Sequence, residues 1–181
     1  AIAIIWILRV VLAGLTMFFP FVAGWSNFIL DVIDGDILQW LGLGEETYQL
    51  TDKFFDWLAY VGMALAAWRF QWGLRKWMYA FFALRTVGQA LFFITGDTTY
   101  FFFFPNFLEP LFLIYSAIFF FKGSEEVKAY AVYQKYKWYI WIFVIVYKMQ
   151  EEFITHIAQV DRLDFIRENI LSLGPSLVQL G

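Results

Sequence analysis

The chain has 181 residues, 61% of them hydrophobic, 23% aromatic and only 16% charged, with mean hydropathy +0.62 and a formal net charge of −3. Soluble domains average about 45–50% apolar and about 25% charged, so 23 Phe, ten Tyr and nine Trp exceed what a water-facing fold of this size can cover, and an integral membrane protein is expected. The lack of cysteine excludes disulfides and iron–sulfur clusters, the single histidine, His156, excludes bis-histidine haem, and the acidic balance argues against a nucleic-acid partner.

Ala1 rather than Met opens the sequence, which points to a processed or truncated N-terminus. Five spans then follow, each near the length that about 30 Å of hydrocarbon requires. The first covers residues 2–28, carries Arg9, and is interrupted by Pro20 and Gly24, so a kinked or broken helix is predicted there. The second covers 54–70, the third 77–94, the fourth 100–121 with Pro105 and Pro110 inside it, and the fifth 138–149. No period-2 alternation of the kind a transmembrane barrel needs recurs. The expected fold class is all-α: a single polytopic helical membrane domain over 1–181, with about five transmembrane helices. From Glu151 onward, acids and arginines mix with apolar residues at helical spacing. This predicts an amphipathic tail helix over 150–174, lying on the membrane or on a partner.

Charge is distributed unevenly between the connections. Arg69, Arg75 and Lys76 lie between spans two and three, and Lys122, Lys128, Lys135 and Lys137 between spans four and five. The segment from 25 to 51 holds five acids and no Lys or Arg. The positive-inside rule therefore puts the N-terminus and both basic loops in the cytoplasm and the acidic loop outside. The expected location is a bacterial or archaeal inner membrane.

That acidic segment carries the chain's most specific signal. Asp31 and Asp34 are three apart, Asp52 and Asp56 four apart, so each pair shares a face of a helix. Two such faces turned together would offer hard oxygen ligands to a divalent cation and a phosphate ester. Asp31-x-x-Asp34-Gly35, followed by Asp52-x-x-x-Asp56, resembles the signature of the CDP-alcohol phosphatidyltransferases: D-x-x-D-G-x-x-A-R, eight residues, then G-x-x-x-D-x-x-x-D. The match spans about 26 residues, with all four acids and the first glycine in register. Leu38, Gln39 and Tyr48 stand where the family has Ala, Arg and its second Gly.

The resemblance implies a metal-dependent transferase that makes a phospholipid phosphodiester from a CDP-linked lipid and an alcohol. It implies six helices and a cytosolic site. Asp31, Asp34, Asp52 and Asp56 would ligate Mg²⁺ or Mn²⁺, Asp56 would also deprotonate the alcohol, and Gly35 would let the backbone approach the nucleotide. A plainer account of the same residues has Thr51 and Asp52 capping the second span and Asp31, Asp34 and Asp36 forming a solvated turn around Gly35. Arg85 is expected either to pair with Glu109 inside the bundle or to contact a lipid phosphate. Arg9 either snorkels or joins the polar interior. The aromatic runs keep a second function open: a non-enzymatic membrane subunit binding lipid, quinone or pigment, as a homo-oligomer or within a larger complex.

Overall fold

A computed structural model describes residues 2–156. Within them the chain is helical throughout: α1 (Ile2–Thr16), α2 (Pro20–Trp40), α3 (Glu45–Arg69), α4 (Arg75–Thr95), α5 (Tyr100–Phe103), α6 (Leu108–Phe121) and α7 (Glu126–His156), with no strand among the described residues. Of the predicted tail helix over 150–174, the part up to His156 continues α7 and the remainder lies outside the described residues.

The first predicted span is two helices, not one. Thr16 turns its hydroxyl back onto the Leu12 carbonyl (2.8 Å), and Pro20 opens α2, where its missing N–H costs nothing and its φ is already helical. The two helices fold back on each other, because Arg9 reaches Asp31, which one straight helix would hold about 33 Å away. α3 then runs alongside α1. Gly62 sits directly against the Ala13 carbonyl, and the small residues Ala59, Ala66 and Ala67 on α3 are buried. Small residues of this kind let helix backbones close up.

This hairpin corrects the expected path of the chain. Arg69 lies over the Phe18 ring at 4.9 Å and Phe21 stacks on Phe120 at 4.5 Å. The turn at 17–19 therefore shares an end of the bundle with both basic loops. The first turn of α1 lies at the other end, with the 41–44 and 96–99 connections. Gly42 (φ +85°) and Gly96 (φ +74°) terminate α2 and α4 at that end in the left-handed conformation that glycine adopts freely. Asp97, exposed in the second of these turns, accepts from the Thr99 N–H at 2.8 Å, and its hydrogen bonds to Thr99 hold its carboxyl below the usual aspartate range.

The core at the basic end is aromatic: Trp72 is fully buried among Phe112, Tyr115 and Phe119, with ring centroids 4.9–5.5 Å away. Elsewhere the usual partition is inverted. Arg9, Asp34, Asp52, Asp56, Arg85, Lys148 and Glu152 are buried, while Ile4, Phe19, Val22, Ile94, Phe121, Ile142 and Val146 are among the large apolar residues more than half exposed. Arg75–Thr95 is both long and apolar enough to cross a membrane, and Ile2–Thr16 and Leu108–Phe121 are shorter apolar helices.

Candidate metal and phosphate site

Asp31 and Asp34 lie one turn apart on α2, and Asp52 and Asp56 one turn apart on α3. The α2–α3 packing turns both faces toward α1, and all four carboxylates converge on the Arg9 guanidinium. Its Nη1 donates to Asp52 Oδ1 at 2.8 Å and pairs with Asp34 Oδ2 at 3.2 Å; its Nη2 donates to Asp56 Oδ1 at 3.1 Å and to Asp31. Arg9 has joined the polar interior and is 2% exposed. Lys53, between the two α3 acids, donates to Asp52 Oδ2 at 2.7 Å and Asp56 Oδ2 at 3.1 Å.

The plainer account fails locally. α3 begins at Glu45, so Thr51 and Asp52 sit inside the helix, and the Thr51 hydroxyl bonds back to the Thr47 carbonyl (2.8 Å) instead of capping. Asp31 and Asp34 belong to α2 and not to a turn, and Asp34 is fully buried. Among the described residues neither Asp34 oxygen has a hydrogen bond, and Oδ2 forms an ion pair with Arg9. Asp31, Asp52 and Asp56 offer carboxylate oxygens that all lie within 4.8 Å of one another, a grouping that could hold a metal ion. The donor set suits it, because carboxylate oxygens are what hard divalent cations take. Among the described residues four carboxyl groups pair with two cations, Arg9 and Lys53, so that with all four ionised two negative charges (4 − 2) are left unmatched. The side chains of Asp31 (30% exposed) and Lys53 (20%) give it an opening.

Gly35 has a neighbour at the site. A Cβ there would meet the Tyr48 hydroxyl at 2.6 Å. Tyr48, which stands where the resembled signature has its second glycine, thus covers the backbone of Gly35.

A second buried network adjoins the first. The helix breaks between α5 and α6 at residues 104–107, where Pro105 has no N–H to continue it. That break frees the Phe104 carbonyl and the Asn106 N–H. Arg85 Nη1 donates to the first at 3.1 Å, and the second donates to Glu152 Oε1 at 3.1 Å; Arg85 and Glu152 also pair at 3.1 Å. The expected Arg85–Glu109 pairing is therefore not formed. Glu109 instead accepts from Asn106 Nδ2 (3.3 Å) and lies 3.9 Å from Lys148. Asn106 Nδ2 also donates to the Tyr60 hydroxyl at 2.8 Å. The Phe101 ring joins the two networks, with Arg85 Cζ 4.2 Å and Lys53 Nζ 5.9 Å from its centroid. Arg85, given a lipid phosphate by one reading of the sequence, is occupied by the broken helix.

Sequence reasoning gave no role to Lys53, Asn106 or Lys148 and placed Glu152 in the amphipathic tail. For the last two the signal was Lys148-x-x-Glu151-Glu152 at the end of an apolar span, where charges face the bundle interior. No protein family, curated protein or solved structure matches the chain.

Proposed function

We propose that the chain is a polytopic membrane protein resembling the CDP-alcohol phosphatidyltransferases, whose acidic cluster binds Mg²⁺ or Mn²⁺ and the phosphate of a CDP-linked lipid. The membrane reading is supported by the inverted partition: charged groups inside, Ile, Val and Phe outside, an arrangement stable in lipid and not in water. The site reading is carried by one observation. Four carboxyl groups in the family register converge with two negative charges left unmatched when all are ionised, one of their side chains being fully buried and, among the described residues, without a hydrogen bond. Uncompensated charge in such a place is costly, and a divalent cation would cancel it.

Asp31, Asp52 and Asp56 would hold the ion, with Asp34 behind them. When bound, it would neutralise charge developing on the phosphate. The chain's own groups do the rest. Both oxygens of Asp56 already accept from cations, so it becomes free to take the alcohol's proton only when one contact is released. Lys53 is the group to release it: its ammonium ends a flexible stem, is partly exposed, and would turn toward an arriving phosphate. Arg9, held by four acids, stays and fixes the α1–α2–α3 geometry.

The competing function is a non-enzymatic membrane subunit, favoured by the way Arg9 and Tyr48 fill the places a substrate would need. Two measurements separate them. Mn²⁺ binding to the purified protein, followed by electron paramagnetic resonance, should weaken at least tenfold in Asp52→Asn. Metal-dependent release of CMP from CDP-diacylglycerol in the presence of an alcohol should disappear in Asp56→Asn at unchanged expression. Absence of both signals in the wild type would leave the subunit.

A further inference from the structure

At the end of the bundle away from the acids, α4 and α7 run in the same direction but do not close. Among the described residues no Cα of α4 lies within 8 Å of a Cα of α7. Trp141 on α7 props them apart, with ring centroids 5.4 Å from Trp77 and 5.7 Å from Phe81. The gap is a groove of about 500 Å³ running from Gly73 and Tyr130 past Lys137, Trp138 and Trp141 to Ile145. On α7 the lining runs from Tyr130 to Ile145, so the groove is about 22 Å long, of which about 12 Å lies between Lys137 and Ile145. Its walls are tryptophan, tyrosine, leucine and isoleucine with one amide, Gln134, and the cation in its lining, Lys137, lies about halfway along it, with Tyr130, Tyr133 and Gln134 on its loop side and the Trp138 ring centroid 5.6 Å away.

We infer that this groove is a binding site for one anionic glycerophospholipid, its acyl chain laid between α4 and α7 and its phosphate on Lys137. The inference rests on the membrane reading and is independent of the acidic site. Charge complementarity selects the occupant. Residues 69–76 and 122–137 hold seven cations (Arg69, Arg75, Lys76, Lys122, Lys128, Lys135, Lys137) against two acids. Both acids are engaged, Glu125 by Lys128 at 2.8 Å and Glu126 by the Gly73 N–H at 2.7 Å and the Tyr115 hydroxyl at 2.8 Å. An apolar slot from Lys137 to Ile145, closed on its loop side by a cation, an amide and two tyrosines, matches an amphiphile with an anionic, hydrogen-bonding head. Tryptophan and tyrosine flanking the cation are the residues that settle at headgroup depth.

Tryptophan quenching by brominated acyl chains tests this in reconstituted vesicles. Phosphatidylcholine bilayers would carry equal mole fractions of brominated phosphatidylglycerol or brominated phosphatidylcholine. The wild type should be quenched preferentially by the phosphatidylglycerol. In Lys137→Gln that preference should fall about fivefold, the weight of one lysine at an anionic surface, while Lys122→Gln, away from the groove, should keep most of it. Equal quenching by the two lipids, or equal losses in the two variants, would overturn the site and leave only diffuse surface attraction. Quenching by neither lipid would instead remove the membrane reading itself.

Discussion

Without Arg9, four carboxylates would face one another with Lys53 as their remaining cation among the described residues. Breaking a buried charge set by removing one partner costs about 3–5 kcal/mol, and Arg9→Gln should lose stability on that scale in detergent thermal unfolding. Arg9→Lys should recover only part of the loss, because an ammonium lacks the planar fork that reaches four acids at once. The same variant probes the metal: Mn²⁺ or Mg²⁺ should raise the melting temperature of Arg9→Gln more than that of the wild type, since an ion can replace the missing charge. No response to either ion would mean that the acids serve Arg9 alone. A neighbouring side chain gives a milder test. Tyr48→Ala should uncover Gly35 and tighten CDP binding measured by calorimetry, and unchanged affinity would show that Tyr48 is not the cover. The four acids were legible because helical spacing puts each pair on one face whatever its surroundings. Arg9 was not: hydropathy allows a lone arginine in an apolar helix either to snorkel or to turn inward, and the choice depends on partners 22 to 47 residues away.

At the level of elements, the break between α5 and α6 explains two charged residues that would otherwise invite a functional role. A broken helix inside an apolar bundle must have its freed backbone groups satisfied by neighbours, and Arg85 and Glu152 do this for Phe104 and Asn106. Many buried ion pairs can be exchanged for apolar residues at little or no loss. Here the exchange should fail. The double variant Arg85→Leu, Glu152→Leu should remain destabilised by about 2–6 kcal/mol, as two buried backbone groups lose their partners at about 1–3 kcal/mol each. Chemical unfolding of the double and both single variants checks this, and a double variant as stable as the wild type would refute it. Pro20 announced the interruption near the start, because a missing N–H acts locally, whereas residues 100–121 were expected as one span with Pro105 inside it and are in fact α5 and α6 with a break between them. What followed each proline was less visible. The chain reverses at Pro20, and α6 resumes one turn after Pro105, through tertiary packing that no local pattern encodes. Glu152 was read as part of an amphipathic tail because its mixed acidic and apolar setting resembles a surface helix, while its partner Arg85 is 67 residues away.

Over the whole molecule the two ends differ in charge and in content. One end gathers the basic loops, the aromatic core and the α4–α7 groove; the other gathers the 41–44 and 96–99 connections beside the half of the bundle that holds the acids. The path through α1 and α2 matters here, because reading them as one span placed the N-terminus with the basic loops, and the hairpin separates the two. The charge bias itself is unaffected: the loops at 70–74 and 122–125 still share an end, with Lys122 in the second and Arg69, Arg75, Lys76 and Lys128 in the helix ends beside them. The positive-inside rule then assigns that end to the cytoplasm and the acidic end to the outside. Since the chain contains no cysteine, single introduced thiols report sidedness without background. Asp97 and Lys122 are exposed and lie at opposite ends. In intact cells a membrane-impermeant maleimide should label Asp97→Cys, and should label Lys122→Cys only after lysis. The outcome bears on function as well as topology. CDP-linked lipids are made on the cytosolic side, so an outward acidic end separates the cluster from its proposed substrate and favours the subunit reading. The reverse labelling pattern would break the charge rule for this chain and restore the transferase to the side where its substrate is found.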